Sequence, residues 1–539
     1  MSSLAPPAVG SVWINTPSHS WADLRGVPTV LLFWSIGCDA STLMLRRLEK
    51  LQRQFGSSVQ VIAVHSPRTE AAQPIQRVLD AVARLRLSLP VLHDPQLETF
   101  GRYSPGGWPA CVFIDNKQRV KGVVLGSDAG SIADITTYLG AVPAHDQPRF
   151  RVGFQAPRRP IEFAWPSGVV ALDRAGLVAV SDEGNNRIIL GAVDAEQGIF
   201  ASTAVVDGIS RPGRLAALPG GSFVVTQPDD GTVSLVDPDL RMVYPLATDL
   251  DRPVGLCVDL DGSIVVADAG SDQLLRIDAD AVRQRTLSKP SVIAGSGFTG
   301  QNDGRSSRAT LSQPNAVCRT TTGILFVDAA SNNVRLLTDK GRVHSVTQNS
   351  PTRYGLADGP AHAALLNRPV DLVGSPDGSI IVVDQQNNRI RRLADQKLTT
   401  LGASGLRDPE AATVLSDGSV LVADTSNHRI VHIDTRNRTA RGLRLDGMER
   451  TLSLGAAPTV KGNAGMPLTL GYPSPGSGPW EVEVKSEPAG LLVAPLRVRR
   501  QEPDGEVVVN LGMSGRGVLT VTSVSSGDER SIRLPLEVR

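Results

Sequence analysis

At 539 residues, the chain is too long for a single hydrophobic core and must contain several domains. Hydrophobic residues make up 41% of it and charged residues 20%, which excludes an intrinsically disordered chain. The formal net charge of +1 argues against a phosphate-binding surface spread over the whole molecule, so no nucleic-acid partner is predicted.

The N-terminus and the cysteine content indicate a cytoplasmic protein. Residues 1–7 contain neither the basic start nor the apolar core of a signal peptide. No apolar run approaches the roughly 18–20 residues that span a bilayer, so no membrane association is predicted. Four cysteines in a chain of this length do not make a disulfide framework, and reduced thiols are the simplest interpretation.

The first segment alternates strands with helices. Residues 27–34 form a continuous apolar run of strand length, as expected for a strand covered on both faces. Apolar residues at helical spacing over 44–55 predict the first helix. Further strands are predicted at 59–64, 110–114 and 120–125, and further helices at 75–85 and 132–139. The sum is an α/β domain over residues 1–140.

One turn of this domain carries a family resemblance. Residues 33–41 read Phe-Trp-Ser-Ile-Gly-Cys-Asp-Ala-Ser, a strand that runs into a cysteine at a helix start, and they resemble the thioredoxin active-site turn. Trp108-Pro109, ahead of the next strand, resembles the cis-proline that faces that turn in thioredoxins. The resemblance implies three site residues: Cys38 as candidate thiol, Ser41 as candidate thiolate stabiliser and Pro109 as the cis-proline.

The chain departs from the family at Ser41, where thioredoxins have a second cysteine. A mixed disulfide at Cys38 has no neighbouring thiol to resolve it, which excludes dithiol exchange within the motif. A helix N-terminus favours a thiolate, whereas the adjacent Asp39 disfavours it. Two alternatives stay open: a monothiol reaction resolved by glutathione or a second protein, and a domain used only for binding. Cys111 is predicted to be an inward-facing strand residue rather than a distant resolving thiol.

Residues 141–162 are rich in proline and charge and lack a helical period, which predicts a semi-stiff linker.

A repeat of about 40 residues organises the segment 163–440. Each copy has a proline that opens a strand, a Gly-centred turn, and a second strand that ends in a polar position. That position is occupied by Asp182, Gln227, Asp268, Asp328, Asp384 and Asp424. Short strands with turn signals at this period predict a six-bladed β-propeller. The pattern Asp-x-x-Asn-x-Arg-Ile resembles the NHL repeat in particular.

The repeated Asp and Arg residues are predicted to support the fold of each blade rather than to bind a ligand. An Asp directly after a strand can accept backbone N–H bonds in the turn, and identical positions in every repeat usually serve the repeat itself. The histidines show no zinc-site spacing, so neither a metal nor a cofactor is predicted.

Residues 445–539 alternate short apolar strands with Gly, Pro and Ser turns, which predicts a small β-sandwich-like domain. A thioredoxin-like domain, an NHL propeller and a C-terminal β domain, in this order, resemble the NHL repeat-containing protein 2 family. The function predicted first is a protein-binding scaffold that holds a protein or peptide on a propeller face or in the domain cleft. The alternative is a monothiol thiol–disulfide oxidoreductase that uses Cys38. A hydrolytic propeller is disfavoured because the required metal ligands are missing.

Overall fold

In the computed structural model, the described residues are 4–10, 12–16, 24–55, 59–127, 129–140, 162–174, 176–239, 242–347, 350, 352–402 and 405–447, and beyond 450 the strands given below. Contacts divide the chain into two compact bodies, Met1–Ile161 and Glu162–Arg539.

The N-terminal body is an α/β domain built on one six-stranded sheet. Its strands are β1 Val12–Ile14, β2 Thr29–Trp34, β3 Gln60–His65, β4 Val91–His93, β5 Ala110–Ile114 and β6 Val120–Leu125. Its helices are α1 Asp39–Phe55, α2 Ile75–Leu85, α3 Glu98–Tyr103 and α4 Ala129–Gly140, with a 3₁₀ turn at Glu70–Ala72. The strand order is β1-β4-β3-β2-β5-β6, and the β2–β3 and β3–β4 pairs are parallel.

The central strands of this sheet are buried on both faces, as the apolar run at 27–34 predicted for β2. Every residue of β2, β3 and β5 is buried. Helix α2 matches its predicted bounds, and α1 begins earlier than the apolar period indicated, directly after Cys38. The sequence did not predict β1, β4 and α3, because elements of three to six residues are too short to show a period.

The second body contains six four-stranded antiparallel repeats. Repeat 1 is β7 Pro166–Ala171, β8 Leu177–Asp182, β9 Arg187–Asp194 and β10 Ile199–Asp207. Repeat 2 is β11 Leu215–Ala217, β12 Phe223–Gln227, β13 Thr232–Asp237 and β14 Met242–Ala247. Repeat 3 is β15 Pro253–Val258, β16 Ile264–Asp268, β17 Gln273–Ile277 and β18 Ser291–Ala294, with helix α5 Ala279–Gln284 before its last strand.

Repeats 4 and 5 each add a short fifth strand at their outer edge. Repeat 4 is β20 Pro314–Thr320, β21 Gly323–Asp328, β22 Asn333–Thr338 and β23 Arg342–Ser345, with β19 Gly304–Arg305 paired to β23. Repeat 5 is β25 Pro369–Gly374, β26 Ile380–Asp384, β27 Arg389–Ala394 and β28 Lys397–Thr400, with β24 Gly359–Pro360 paired to β28. Repeat 6 is β29 Ala411–Val414, β30 Val420–Asp424, β31 Arg429–Asp434 and β32 Thr439–Asp446.

The repeats form a closed, propeller-like ring. The first strand of each repeat lies beside the first strand of the next, and β29 of repeat 6 lies against β7 of repeat 1. Buried aliphatic residues fill the space between neighbouring sheets, as in the cluster that joins repeats 4 and 5. The ring therefore buries apolar faces that a single repeat would leave in water.

The chain after the ring begins by pairing with its outer edge. β32 runs to Asp446, so the predicted boundary at 440 falls inside a strand, and it pairs in parallel with β10. Next, β33 Thr451–Ser453 pairs with β10, and β34 Gly455–Ala456 pairs with β14. The remaining strands are β35 Val460–Gly462, β36 Pro467–Tyr472, β37 Trp480–Glu487, β38 Leu496–Arg500, β39 Gly505–Asn510, β40 Gly515–Ser525 and β41 Asp528–Val538, and they form a five-stranded and a two-stranded sheet.

Candidate functional site

Cys38 lies at the junction between the central strand β2 and helix α1. Its N–H donates to the carbonyl of Ser35 at 3.2 Å, and its carbonyl accepts from the N–H of Thr42 at 3.1 Å. These bonds place the cysteine at the start of the helix, where backbone N–H groups lack intrahelical partners. The residue is 7% exposed.

The turn faces the loop that leads into β5. The Trp108–Pro109 peptide is cis, and the Cys38 Sγ lies 4.0 Å from the carbonyl oxygen of Trp108. The Trp108 ring stacks on Phe100 of α3, with centroids 4.2 Å apart. The structure thus brings Cys38 next to the loop that contains Pro109, as the resemblance to thioredoxins implied.

Ser41 is fully buried and takes part in the internal bonding of the turn. Its hydroxyl oxygen accepts from the N–H of Ser35 at 3.3 Å. The Ser35 hydroxyl donates to the carbonyl of Ile36 at 3.2 Å and accepts from the N–H of Arg68 at 3.0 Å. The side chain predicted to stabilise a thiolate therefore holds the backbone that precedes the cysteine.

Two buried histidines extend this network behind the turn. The His65 Nε2 accepts from the N–H of Ile36 at 3.4 Å, so its neutral ring carries the proton on Nδ1. That Nδ1 lies 3.2 Å from the Nδ1 of His93. Burial is the main reason that the pKa of both imidazoles is lowered, that of His65 to about 3. The pair is therefore neutral at physiological pH.

Asp94 links the end of strand β4, which carries His93, to helix α3. Its carboxylate accepts from the N–H groups of Thr99 at 3.2 Å and Phe100 at 2.9 Å, and from the Ser66 hydroxyl at 3.2 Å. Burial raises the pKa of this carboxyl, and these hydrogen bonds oppose that shift. Asp94 thus fixes the start of α3, which carries the ring stacked on Trp108.

The other cysteine of this domain lies in the core. Cys111 on β5 is completely buried in the same cluster as Trp34 and Met44. Burial raises the pKa of its thiol to about 12. A thiol in this environment is a poor nucleophile, which agrees with the inward-facing position predicted for Cys111.

In the ring, the repeated Asp residues bind the backbone of their own repeat. The N–H groups that enter the first strands donate to Asp182, Asp268, Asp328, Asp384 and Asp424 at 2.6–2.8 Å. In repeats 1 and 6 the motif arginine, Arg187 or Arg429, pairs with this Asp at 2.7 Å. These Asp and Arg side chains therefore form hydrogen bonds and ion pairs within their own repeats.

Neither metal ligands nor a membrane-spanning helix appear in the described part of the chain. It contains no group of three or more His, Cys, Asp or Glu side chains arranged to hold a metal ion. None of its helices is long and apolar enough to cross a membrane.

Comparison with known proteins matches both domains. The profile of the AhpC/TSA family matches residues 15–123, and that of the NHL repeat matches residues 406–433. Protein SUPPRESSOR OF QUENCHING 1, chloroplastic, from Arabidopsis thaliana is 22% identical over 446 residues, which are 73% of this chain and 42% of that protein. NHL repeat-containing protein 2 from Bos taurus is 21% identical over 462 residues, 74% of this chain and 63% of that protein.

This chain spans less than two-thirds of the length of either relative. A solved structure of virginiamycin B lyase from Staphylococcus aureus aligns with 53% of this chain and 89% of that chain, at 15% identity and a TM-score of 0.36. The expected resemblance is confirmed: an AhpC/TSA thioredoxin-like domain precedes an NHL repeat, and the chain is homologous to NHL repeat-containing protein 2 over 74% of its length.

Proposed function

We propose that this protein acts mainly as a protein-binding scaffold with a degenerate redox motif. The observation that carries the proposal is the surroundings of Cys38. Ser41 occupies the position of the second cysteine and its hydroxyl accepts from the backbone of the turn, while Cys111 is enclosed in the core. A mixed disulfide at Cys38 would have no thiol within the motif to release it. The motif residues of the ring are likewise engaged within their own repeats.

A monothiol oxidoreductase is the second candidate, and the position of the Cys38 Sγ, 4.0 Å from the carbonyl of Trp108, favours it. In this reaction the Cys38 thiolate attacks one sulfur of a disulfide, a mixed disulfide forms, and the other sulfur leaves as a thiolate. Glutathione then attacks the mixed disulfide and regenerates the Cys38 thiol, leaving glutathione bound to the substrate sulfur. The loop that contains Pro109 would hold the substrate strand beside the thiol.

We further propose a cytoplasmic location. All four cysteines are unpaired, which supports a reducing compartment.

One experiment separates the two functions. The experiment uses three full-length proteins: wild type, Cys38→Ala, and Cys257→Ala as the matched control. Each protein is used to capture partners and, separately, is incubated with glutathione disulfide. A scaffold retains the same partners in all three forms, whether or not reductant is present. A monothiol enzyme loses its trapped partners and its glutathione adduct in Cys38→Ala alone, and that result would overturn the scaffold proposal.

A further inference from the structure

Two long inserts of the ring expose aromatic side chains to solvent. The first insert, residues 295–313, leads into β20, and the second insert, residues 352–368, leads into β25. Phe298 in the first is 75% exposed, and Tyr354 and Leu356 in the second are each 51% exposed. Phe298 and Tyr354 are the two aromatic residues among the exposed large hydrophobic side chains of the described part. Aromatic side chains are the commonest anchors of protein interfaces.

Each insert is bound by a fully buried arginine of the repeat that it leads into. Arg335 donates to Asp303 at 2.8 Å and to the carbonyls of Asn302 and Thr310 of the first insert. It also pairs with Asp328, the polar motif residue of its repeat, at 2.8 Å.

Arg391 holds the second insert in the same way. It donates to Asp358 at 2.7 Å, to the carbonyls of Ala357 and Leu365, and to Asp384 at 2.6 Å. Because these bonds fix the backbone of both inserts, the exposed rings are presented on a preorganised support. Binding there would cost little ordering entropy.

The two inserts lie on the same side of neighbouring repeats. Both enter the ring where its first strands begin, and the first strands β20 and β25 are adjacent. The chain that leaves β23 toward the second insert is bonded to the first, because the N–H of Ser345 donates to Asp303 at 2.8 Å. The exposed apolar and arginine side chains of these two neighbouring inserts are together called the insert surface: Phe298, Arg305, Arg308, Arg353, Tyr354 and Leu356.

The charged side chains of the insert surface are arginines that form no ion pair with the described residues. Arg305, Arg308 and Arg353 are exposed and form no ion pair within the described residues. The insert carboxylates Asp303 and Asp358 are paired with the buried Arg335 and Arg391. Apolar anchors bordered by free guanidinium groups complement a segment that carries apolar and acidic side chains together.

We propose that the insert surface docks a peptide segment of another protein in which aromatic or leucine side chains are flanked by Asp or Glu. The inference rests on the proposed scaffold function and names the surface and the partner class of that function. A protein segment is favoured over RNA because three arginines supply few phosphate contacts, and Leu356 offers an apolar surface rather than a hydrogen-bonding edge.

The test uses full-length protein and fluorescence anisotropy. The probes are a labelled peptide in which Phe and Leu alternate with Asp and Glu, a matched peptide with Lys in place of the acids, and single-stranded oligouridine. Phe298→Ser and Tyr354→Ser remove the anchors, and Arg305→Ala combined with Arg353→Ala removes charge. Leu260→Ser is the matched control, because Leu260 is an 81% exposed hydrophobic residue on a β15–β16 turn, away from both inserts.

We expect the acidic peptide to bind more tightly than the Lys peptide, and we expect its affinity to fall as the salt concentration rises. Either anchor substitution should weaken binding about tenfold, a typical effect of removing an interface anchor. The arginine double variant should reduce the salt dependence, and Leu260→Ser should leave binding unchanged. Three results would each overturn the proposal that the insert surface docks this peptide. They are failure of the acidic peptide to bind, tighter binding of oligouridine, and a loss of binding in Leu260→Ser equal to that in the anchor variants. The scaffold function would survive such a result if Phe298→Ser still captured the same partners as wild type.

Discussion

At the scale of single residues, the buried His65–His93 pair determines how the N-terminal domain responds to acid. Burial, and secondarily the charge of His93, lower the pKa of His65 from 6.5 to about 3. Between these values the unfolded chain binds a proton that the folded chain does not. The corresponding stability is complete above pH 6.5 and is lost progressively as the pH falls.

We therefore predict that acidification from pH 7 to pH 5 lowers the free energy of unfolding of this domain by about 2 kcal/mol through His65 alone. Urea unfolding of the full chain can be followed by tryptophan fluorescence, since four of the six tryptophans lie in residues 1–140. His65→Gln should flatten the pH dependence, whereas His344→Gln, at an exposed histidine of β23, should not. Equal slopes in both variants would contradict the prediction.

The site could be predicted from sequence only where its chemistry is local. Cys38 and its turn are contiguous, and Trp108–Pro109 is a recognisable pair, so the structure placed both where the resemblance indicated. His65 and His93 were not predicted as a pair. They are 28 residues apart and meet only because the three-residue strand β4 pairs with β3, and a strand that short has no readable period.

At the scale of elements, arginines two residues apart on β27 have different roles. The motif pattern indicated Arg389, but Asp384 pairs with Arg391, and Arg389 donates to the carbonyl of Asn388. Arg391 is fully buried and pairs with Asp358 of the second insert, whereas Arg389 is only partly buried. Repeat 4 uses Arg335 and Asp303 in the same way. The sequence predicted the strand and turn order of the repeats but not these partners, which come from inserts 32 and 33 residues away.

We predict that Arg391→Met destabilises the ring by about 3–5 kcal/mol, because it leaves the buried Asp384 carboxylate without its cation. The pKa of Asp384, already raised to about 6 by burial, would rise further. Arg389→Met, the matched control on the same strand, should change stability by no more than about 0.5 kcal/mol. Thermal unfolding monitored by circular dichroism of the sheet provides the measurement. A similar loss in both variants would show that the buried ion pair does not anchor the insert.

At the scale of the whole molecule, the ring is tied together by side chains in left-handed turn positions. Asn186, Asn332 and Asn388 each accept the N–H of a residue in the next repeat, Arg211, Arg368 and Asp408, at 2.7–3.2 Å. His428 closes the circle, because its Nδ1 accepts from the N–H of Trp165 in repeat 1 at 3.1 Å. A histidine therefore occupies the position that asparagine has in repeats 1, 4 and 5.

Replacement of this histidine tests how the ring closes. His428→Asn should keep stability within about 0.5 kcal/mol of wild type, because asparagine tolerates the left-handed conformation and its amide oxygen can accept the same N–H. His428→Ala should cost about 1–2 kcal/mol, through the lost hydrogen bond and the strained backbone. Urea unfolding followed by circular dichroism of the sheets compares the variants. A loss in His428→Asn as large as in His428→Ala would refute this account of ring closure.

The strands that follow the ring have a consequence for self-association. β33 and β34 cover parts of the outermost strands β10 and β14, whose outward N–H and C=O groups would otherwise be unpaired. An uncovered strand edge is a template for pairing with another copy of the same chain. A chain cut after Asp446 would keep every repeat of the ring but lose this cover, and it would be prone to aggregate edge to edge.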